Sequence, residues 1–198
     1  MTTPVHPPLS RERMLAVSAQ WQRFMAGLAV DAGLVRPVIL QSWQRCRQAG
    51  FPSDRLALCP IDTAGLARSV AHNRELVETA KEVMDWLAHS IHLSSSVVTL
   101  VDTTGLVLHV SATSEDLENV PYGAPGRRCD EATLGSNGMG VCLIERKPVH
   151  VIAAEHFNAT LHYLSCSAAP VHDSSGRFLG AINLAISTEN FHQHTLGL

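Results

Sequence analysis

Two four-residue turns, Asp102-Thr103-Thr104-Gly105 and Asp173-Ser174-Ser175-Gly176, constrain this chain most strongly. In each, the aspartate can accept hydrogen bonds from the backbone that follows it, and the glycine supplies a positive φ that other residues resist. Each turn joins two apolar or β-branched runs: Val97–Val101 to Leu106–Val110, and Leu164–His172 to Phe178–Ser187. That pattern specifies hairpins, and hairpins specify antiparallel pairing. A fifth strand is expected over Pro148–Ala153, because proline suits the first position of a strand.

Before Ser94-Ser95-Ser96 the apolar period is helical. Pro4, Pro7 and Pro8 mark a loose arm. A first helix is expected from an N-cap at Ser10, with Glu12 in its first turn and Met14, Trp21, Met25 and Leu28 on its apolar face, fading near Asp31 and Gly33. A second begins at Pro37, carries Ile39, Ser42, Trp43 and Cys46 on one face, and ends at Gly50-Phe51-Pro52. The third, over 63–92, is the longest. Its residues Leu66, Val70, Asn73, Val77, Ala80, Met84, Leu87 and Ile91 follow a heptad spacing. Such a stripe serves equally as a dimer seam, with Asn73 setting register, or as the face of a helix lying on a sheet.

Between the hairpins, a short helix is expected at Ser114–Val120, then a turn-rich stretch, then a helix from Glu131 to Arg146 capped by Asp130. Gly135, Gly138 and Gly140 stand within that helix, each costing about 1 kcal/mol against alanine. Close approach of its backbone to a sheet or a ligand would compensate. From Thr188 onward a further helix starts. The fold class is therefore α+β: an antiparallel sheet flanked by helices and preceded by a helical N-terminal region. The expected organisation is an N-terminal helical region over 1–62, a connecting or dimerisation helix over 63–93, and the sheet-bearing domain over 94–198.

Composition removes several classes of function. Hydrophobic residues make up 45% of the chain and the net charge is −3 with no basic block, so direct nucleic-acid binding by this segment is disfavoured. No apolar run approaches the ~20 residues of a membrane helix, and no secretory signal opens the chain. Cys46, Cys59, Cys129, Cys142 and Cys166 are dispersed without a C-x-x-C pair, which reads as reduced thiols in a cytoplasmic protein.

The densest chemistry lies at Glu155-His156-Phe157, His162 and Cys166. The spacing is not that of a zinc site, and no metal or other cofactor is expected. Neutral histidines hydrogen-bonding a small polar molecule fit better, and a structural role for His156 stands beside that reading. Arg127 and Arg128 precede the glycine-rich helix, where they either attract an anion or are merely solvated.

Taken in series, these motifs resemble the N-terminal sensory region of sigma-54-dependent activators of the acetoin and glycerol catabolism type. Ser42-Trp43-Gln44-Arg45-Cys46 with Gly50-Phe51-Pro52, Asp102–Gly105, Glu131 with Gly135–Gly140, the block His156, Phe157, His162, Cys166, Ala168 and Pro170, and the closing Gly176–Gly180 all match in order. The resemblance implies a GAF-like domain that binds a small organic effector and controls downstream AAA+ and DNA-binding domains of a longer chain. It implies no enzymatic activity. Asp130, Ser136, Gly138 and Met139 depart from the family's usual residues, so no particular effector is carried over. The expected effector-binding set is Glu131, Asn137, His156, Phe157, His162 and Cys166. The expected homodimer interface is Val70, Asn73, Val77, Met84, Leu87 and Ile91. Protein docking without a small ligand is the main alternative, followed by a thiol-dependent methionine sulfoxide reductase using Cys129 and Cys166.

Overall fold

The computed structural model describes residues 10–56, 61–90, 96–112 and 123–190. The expected N-terminal arm, the helix at 114–120, Cys59, Ile91 and the helix beyond a 3-10 turn at Thr188–Asn190 lie outside the described residues in whole or in part.

The two hairpins form as expected, and their strands meet. β1 (Val97–Asp102), β2 (Val107–Ala112), β3 (Val149–Ile152), β4 (Leu164–His172) and β5 (Phe178–Ser187) make one antiparallel sheet in the order β2-β1-β5-β4-β3. Asp102 Oδ1 accepts from the backbone N–H of Thr104 and Leu106, and Asp173 Oδ1 does the same for Ser175 and Arg177. Gly105 and Gly176 have φ of +81° and +82°. Each turn thus satisfies several of its own backbone N–H groups locally.

The helices divide between the two faces. α1 (Arg11–Met25) and α2 (Pro37–Gln48) share a core with the face carrying Val101, Ala181, Ala185, Cys166 and Ala168. α5 (Glu131–Leu134) and α6 (Gly138–Glu145) join that same core through Leu134, Met139, Val141 and Cys142. α1 buries Val17, Gln20 and Phe24, with Trp21 and Met25 of the expected row partly buried against the same core, whereas Leu28 lies past its end and is exposed. α1 contacts the 3-10 turn Ala153–Glu155 after β3 and α2 contacts α5, so the helices over the expected 1–62 region share one core with the sheet-bearing part of the chain.

The expected helix over 63–92 is two: α3 (Thr63–His72) and α4 (Arg74–Ser90), with Asn73 as the C-cap between them. Asn73 spends its side-chain N–H on Ser69 O at 2.9 Å, so it ends a helix and sets no register within a continuous one. α4 lies on the second face of the sheet, where Leu76, Ala80, Met84 and Ala88 pack against Val98, Leu100, Leu108, Leu184 and Ile186. Val70, Val77 and Leu87 are partly buried against the same cluster. Part of the heptad stripe, with Ala80 and Met84 buried and Val70, Val77 and Leu87 partly so, thus packs within the chain. Met84 is fully buried there, and burial of such a side chain contributes about 1.5–3 kcal/mol.

Candidate functional site

The signature on α2 is explained by a buried ionic network. Arg45 Nε and Nη2 each donate to the Glu131 carboxylate at 2.8 Å, and the Ser42 hydroxyl lies 2.5 Å from both Glu131 Oε1 and Ser136 Oγ. Cys46 Sγ is 3.6 Å from the same Ser136 hydroxyl. Glu131 is 8% exposed, and a carboxylate taken this far out of water persists only when paired and hydrogen-bonded. The pair therefore fastens α2 to α5. The carboxylate is committed to protein partners.

The Glu155-His156-Phe157 corner works similarly. Three consecutive carbonyls are each capped by a side-chain N–H: Glu155 O by Trp43 Nε1 at 2.8 Å, His156 O by His162 Nε2 at 3.2 Å, and Phe157 O by Trp21 Nε1 at 3.0 Å. The Glu155 carboxylate accepts from Arg36 Nε and Nη2 and from the Ile152 N–H. His156 Nδ1 donates to Ala153 O at 3.0 Å, and Ala153 holds a left-handed φ of +47° to present that carbonyl. Burial drives His156 down to about 4, because water is absent to solvate an imidazolium. His162 is lowered too, first by burial, and stacks edge-on against Trp21. These contacts clamp the segment after β3 to α1 and α2. Asn158, not singled out from the sequence, extends this clamp by donating to Pro52 O and Arg55 O.

The glycine-rich stretch is not one helix. Gly135, at φ +71°, breaks it, and Asn137 starts α6 by accepting from Gly140 N at 3.0 Å while donating to Gly135 O. The expected close approach is present. A Cβ at Gly138 would stand 2.5 Å from Asn183 Oδ1 and 2.8 Å from Cys166 Cβ, and one at Gly140 would meet the Glu131 amide nitrogen at 2.7 Å. Beneath α6, Thr99 of β1 pairs with Asn183 of β5, which pairs with Ala168 of β4, so the three share a face. The next row is Ala112, Val97, Ala185 and Cys166. Thr99 and Asn183 are 2% and 1% exposed: a polar pair inside a patch of small apolar residues.

Of the expected set, then, Asn137 caps α6, Cys166 lies beneath Gly138 at the start of that helix, Glu131 belongs to the α2–α5 network, and His156, Phe157 and His162 belong to the carbonyl clamp. Asn183 was the missed residue. Its signal was a lone polar side chain at an inward position of Ala181-Ile182-Asn183-Leu184-Ala185. Outside the sheet, an open cleft of about 420 Å³ lies between α2, α5, α6 and the first hairpin turn, lined by Arg45, Thr104, Glu131, Gly140, Leu143 and Ile144 among others. Arg128, read as a candidate anion ligand, instead donates to Thr104 O and Oγ1.

The described cysteines are all buried. Burial pushes Cys46 and Cys166 up to about 11 and Cys142 up to about 12, and raises Cys129 further in the same direction. Such thiols stay protonated and make poor nucleophiles. Among the described residues, no group of three or more His, Cys, Asp or Glu side chains could hold a metal ion.

A family model described as the MimR N-terminal domain matches residues 15–193. The chain is 26% identical over 182 residues to the acetoin dehydrogenase operon transcriptional activator AcoR of Bacillus subtilis, covering 90% of this chain and 30% of that protein. It is 29% identical over 167 residues to the propane 2-monooxygenase operon transcriptional activator MimR of Mycolicibacterium smegmatis, covering 82% and 28%. Among solved structures, the E. coli DhaR(N)–DhaL complex is similar with a TM-score of 0.76 at 20% identity, over 81% of this chain and 56% of that one, which shows a shared fold. The chain thus spans less than a third of the length of these two curated relatives.

Proposed function

This chain belongs to the MimR N-terminal domain family, and on that premise we propose that it senses a small organic effector for a transcriptional activator. The effector binds between the sheet and α6, and the output passes to AAA+ and DNA-binding domains that act on sigma-54 RNA polymerase. The observation that carries this reading is the buried Thr99–Asn183 pair, set among Val97, Ala112 and Ala185 and roofed by the Gly138 end of α6. Small-molecule sites combine apolar walls with a few fixed polar groups in this way. Occupancy there moves α6, and α6 adjoins α5, which the Glu131–Arg45 pair ties to α2. A ligand that favours one arrangement of these helices shifts their equilibrium by its difference in affinity.

Thermal melting of the purified domain against small ketones, diols, alcohols, carboxylates and simple aromatics tests the reading. A compound at 100 times its dissociation constant adds about 2.7 kcal/mol. A dose-dependent rise confined to one chemical class supports the effector reading, and a flat panel overturns it.

A second reading, protein docking, draws on the open cleft with half-exposed Ile144 at its edge and on the protein-bound state of the structurally similar DhaR(N). Retention of a specific host protein by the wild-type domain, lost on Ile144→Asp, together with a flat melting panel, would favour it.

A further inference from the structure

The open cleft beside α6 is chemically lopsided. Its apolar wall is made by Ala49, Ala132, Leu143 and Ile144, and Ile144 is 48% exposed although Val141 and Cys142 of the same helix are fully buried. Carboxylates flank that wall. Asp130 lines the cleft from the N-cap position of α5, yet its side chain caps no backbone N–H there. Among the described residues its Oδ1 accepts from the Thr133 hydroxyl alone, at 3.1 Å. Glu145, next to Ile144, stands 3.9 Å from Arg45 Nη1, beyond hydrogen-bond reach. Arg45 is already engaged by Glu131 through two bonds of 2.8 Å. The neighbouring cations are turned away: Arg47 stacks on Phe24, Arg146 lies over Phe178, and Arg128 donates to Thr104. Asp130 and Glu145 thus present under-partnered negative charge on either side of an aliphatic wall.

We infer that this cleft docks a segment of another protein, and that the segment carries an aliphatic side chain flanked by lysine or arginine. The inference rests on the docking reading above and names the chemistry of the partner; it requires no effector beneath α6. A free small molecule suits the cleft poorly, because such ligands bury roughly 70–90% of their surface and this site is open. A protein segment covers Ile144 with its aliphatic group and brings its cations to Asp130 and Glu145, while an acidic segment is repelled. Asp130 begins α5 and Ile144 ends α6, with the break at Gly135 between them. A segment that touches both therefore fixes one helix against the other.

A displayed library of random peptides, selected on the immobilised whole chain and counter-selected on Ile144→Asp, tests this. The enriched peptides are expected to pair leucine, isoleucine, valine or methionine with adjacent lysine or arginine. Synthesised, labelled and read by fluorescence anisotropy, they should bind about tenfold more weakly to the Asp130→Asn, Glu145→Gln double variant, the worth of two part-exposed ion pairs. Their binding should also weaken as salt is raised. Glu75→Gln with Glu82→Gln, which removes two exposed carboxylates of α4, should leave it unchanged. Enrichment of neutral or acidic peptides, or indifference to the Asp130→Asn, Glu145→Gln pair, would overturn the basic assignment and leave the docking reading standing. No peptide that distinguishes the wild type from Ile144→Asp would overturn both. A dimer in sedimentation that Ile144→Asp dissolves would give the cleft to a second copy of the chain and overturn the inference too.

Discussion

Breaking the Arg45–Glu131 pair from either side should give unequal losses of stability. Glu131 is 8% exposed and Arg45 34%, so the carboxylate is the member that depends on its partner. Arg45→Ala removes two N–H donors at 2.8 Å and leaves the carboxylate with the Ser42 hydroxyl alone. A buried charge stripped of its counter-ion costs ~3–5 kcal/mol, and the part-exposed position of Arg45 moves the expectation to the low end, about 3 kcal/mol. Glu131→Gln acts in the other direction. The carboxamide still accepts from Ser42, and the freed guanidinium can turn toward water and toward Glu145, 3.9 Å away. About 1 kcal/mol is expected, the worth of one charge-assisted hydrogen bond weakened. Urea denaturation of both variants, read as midpoint shifts at constant slope, separates the two values. For a domain of this size the thermal shifts would be about 6–12 °C and 2–4 °C. Equal losses, or a larger loss for Glu131→Gln, would refute the claim that burial of the carboxylate governs this network.

Three further outcomes are expected. Gly138→Ala, whose Cβ would press on Asn183 Oδ1 and Cys166 Cβ, should destabilise by about 1–3 kcal/mol in a chemical melt, as overpacking does. Trp43→Phe should cost about 1–3 kcal/mol by orphaning the buried Glu155 carbonyl, and a smaller effect would mean that the indole contributes packing alone. His156, held neutral down to about 4, binds its proton more readily in the unfolded chain. Its contribution is therefore complete above the unfolded value near 6.5 and is lost as pH falls toward 4, a loss of roughly 3 kcal/mol that His156→Gln should flatten in a stability-against-pH series.

The hairpins are legible in the sequence because an Asp-x-x-Gly turn satisfies itself within four residues and the strand period declares itself over five. Partners at long range are harder to read. Glu155, His156 and Phe157 carry ligand-type side chains, but the N–H groups that claim their carbonyls sit on Trp21, Trp43 and His162, and two of those lie more than a hundred residues upstream. The heptad stripe on α4 states that one face must be covered and says nothing of what covers it. Here the covering surface is Val98, Leu100, Leu184 and Ile186 of the chain's own sheet. Helix breaks at Asn73 and Gly135 follow from capping geometry that overrides a continuing apolar period. Asn183 is the opposite case: a polar residue at an inward strand position is visible in the sequence, but only the fold shows that its oxygen has no partner.

A titration of the isotopically labelled domain, followed by proton–nitrogen correlation spectra, tests the central claim most directly. With a compound that raises the melting temperature, the largest shifts are expected at the Asn183 side-chain amide and at the backbone amides of Thr99, Gly138 and Cys166. Shifts confined instead to Arg45, Leu143 and Ile144 around the open cleft would contradict an effector site beneath α6.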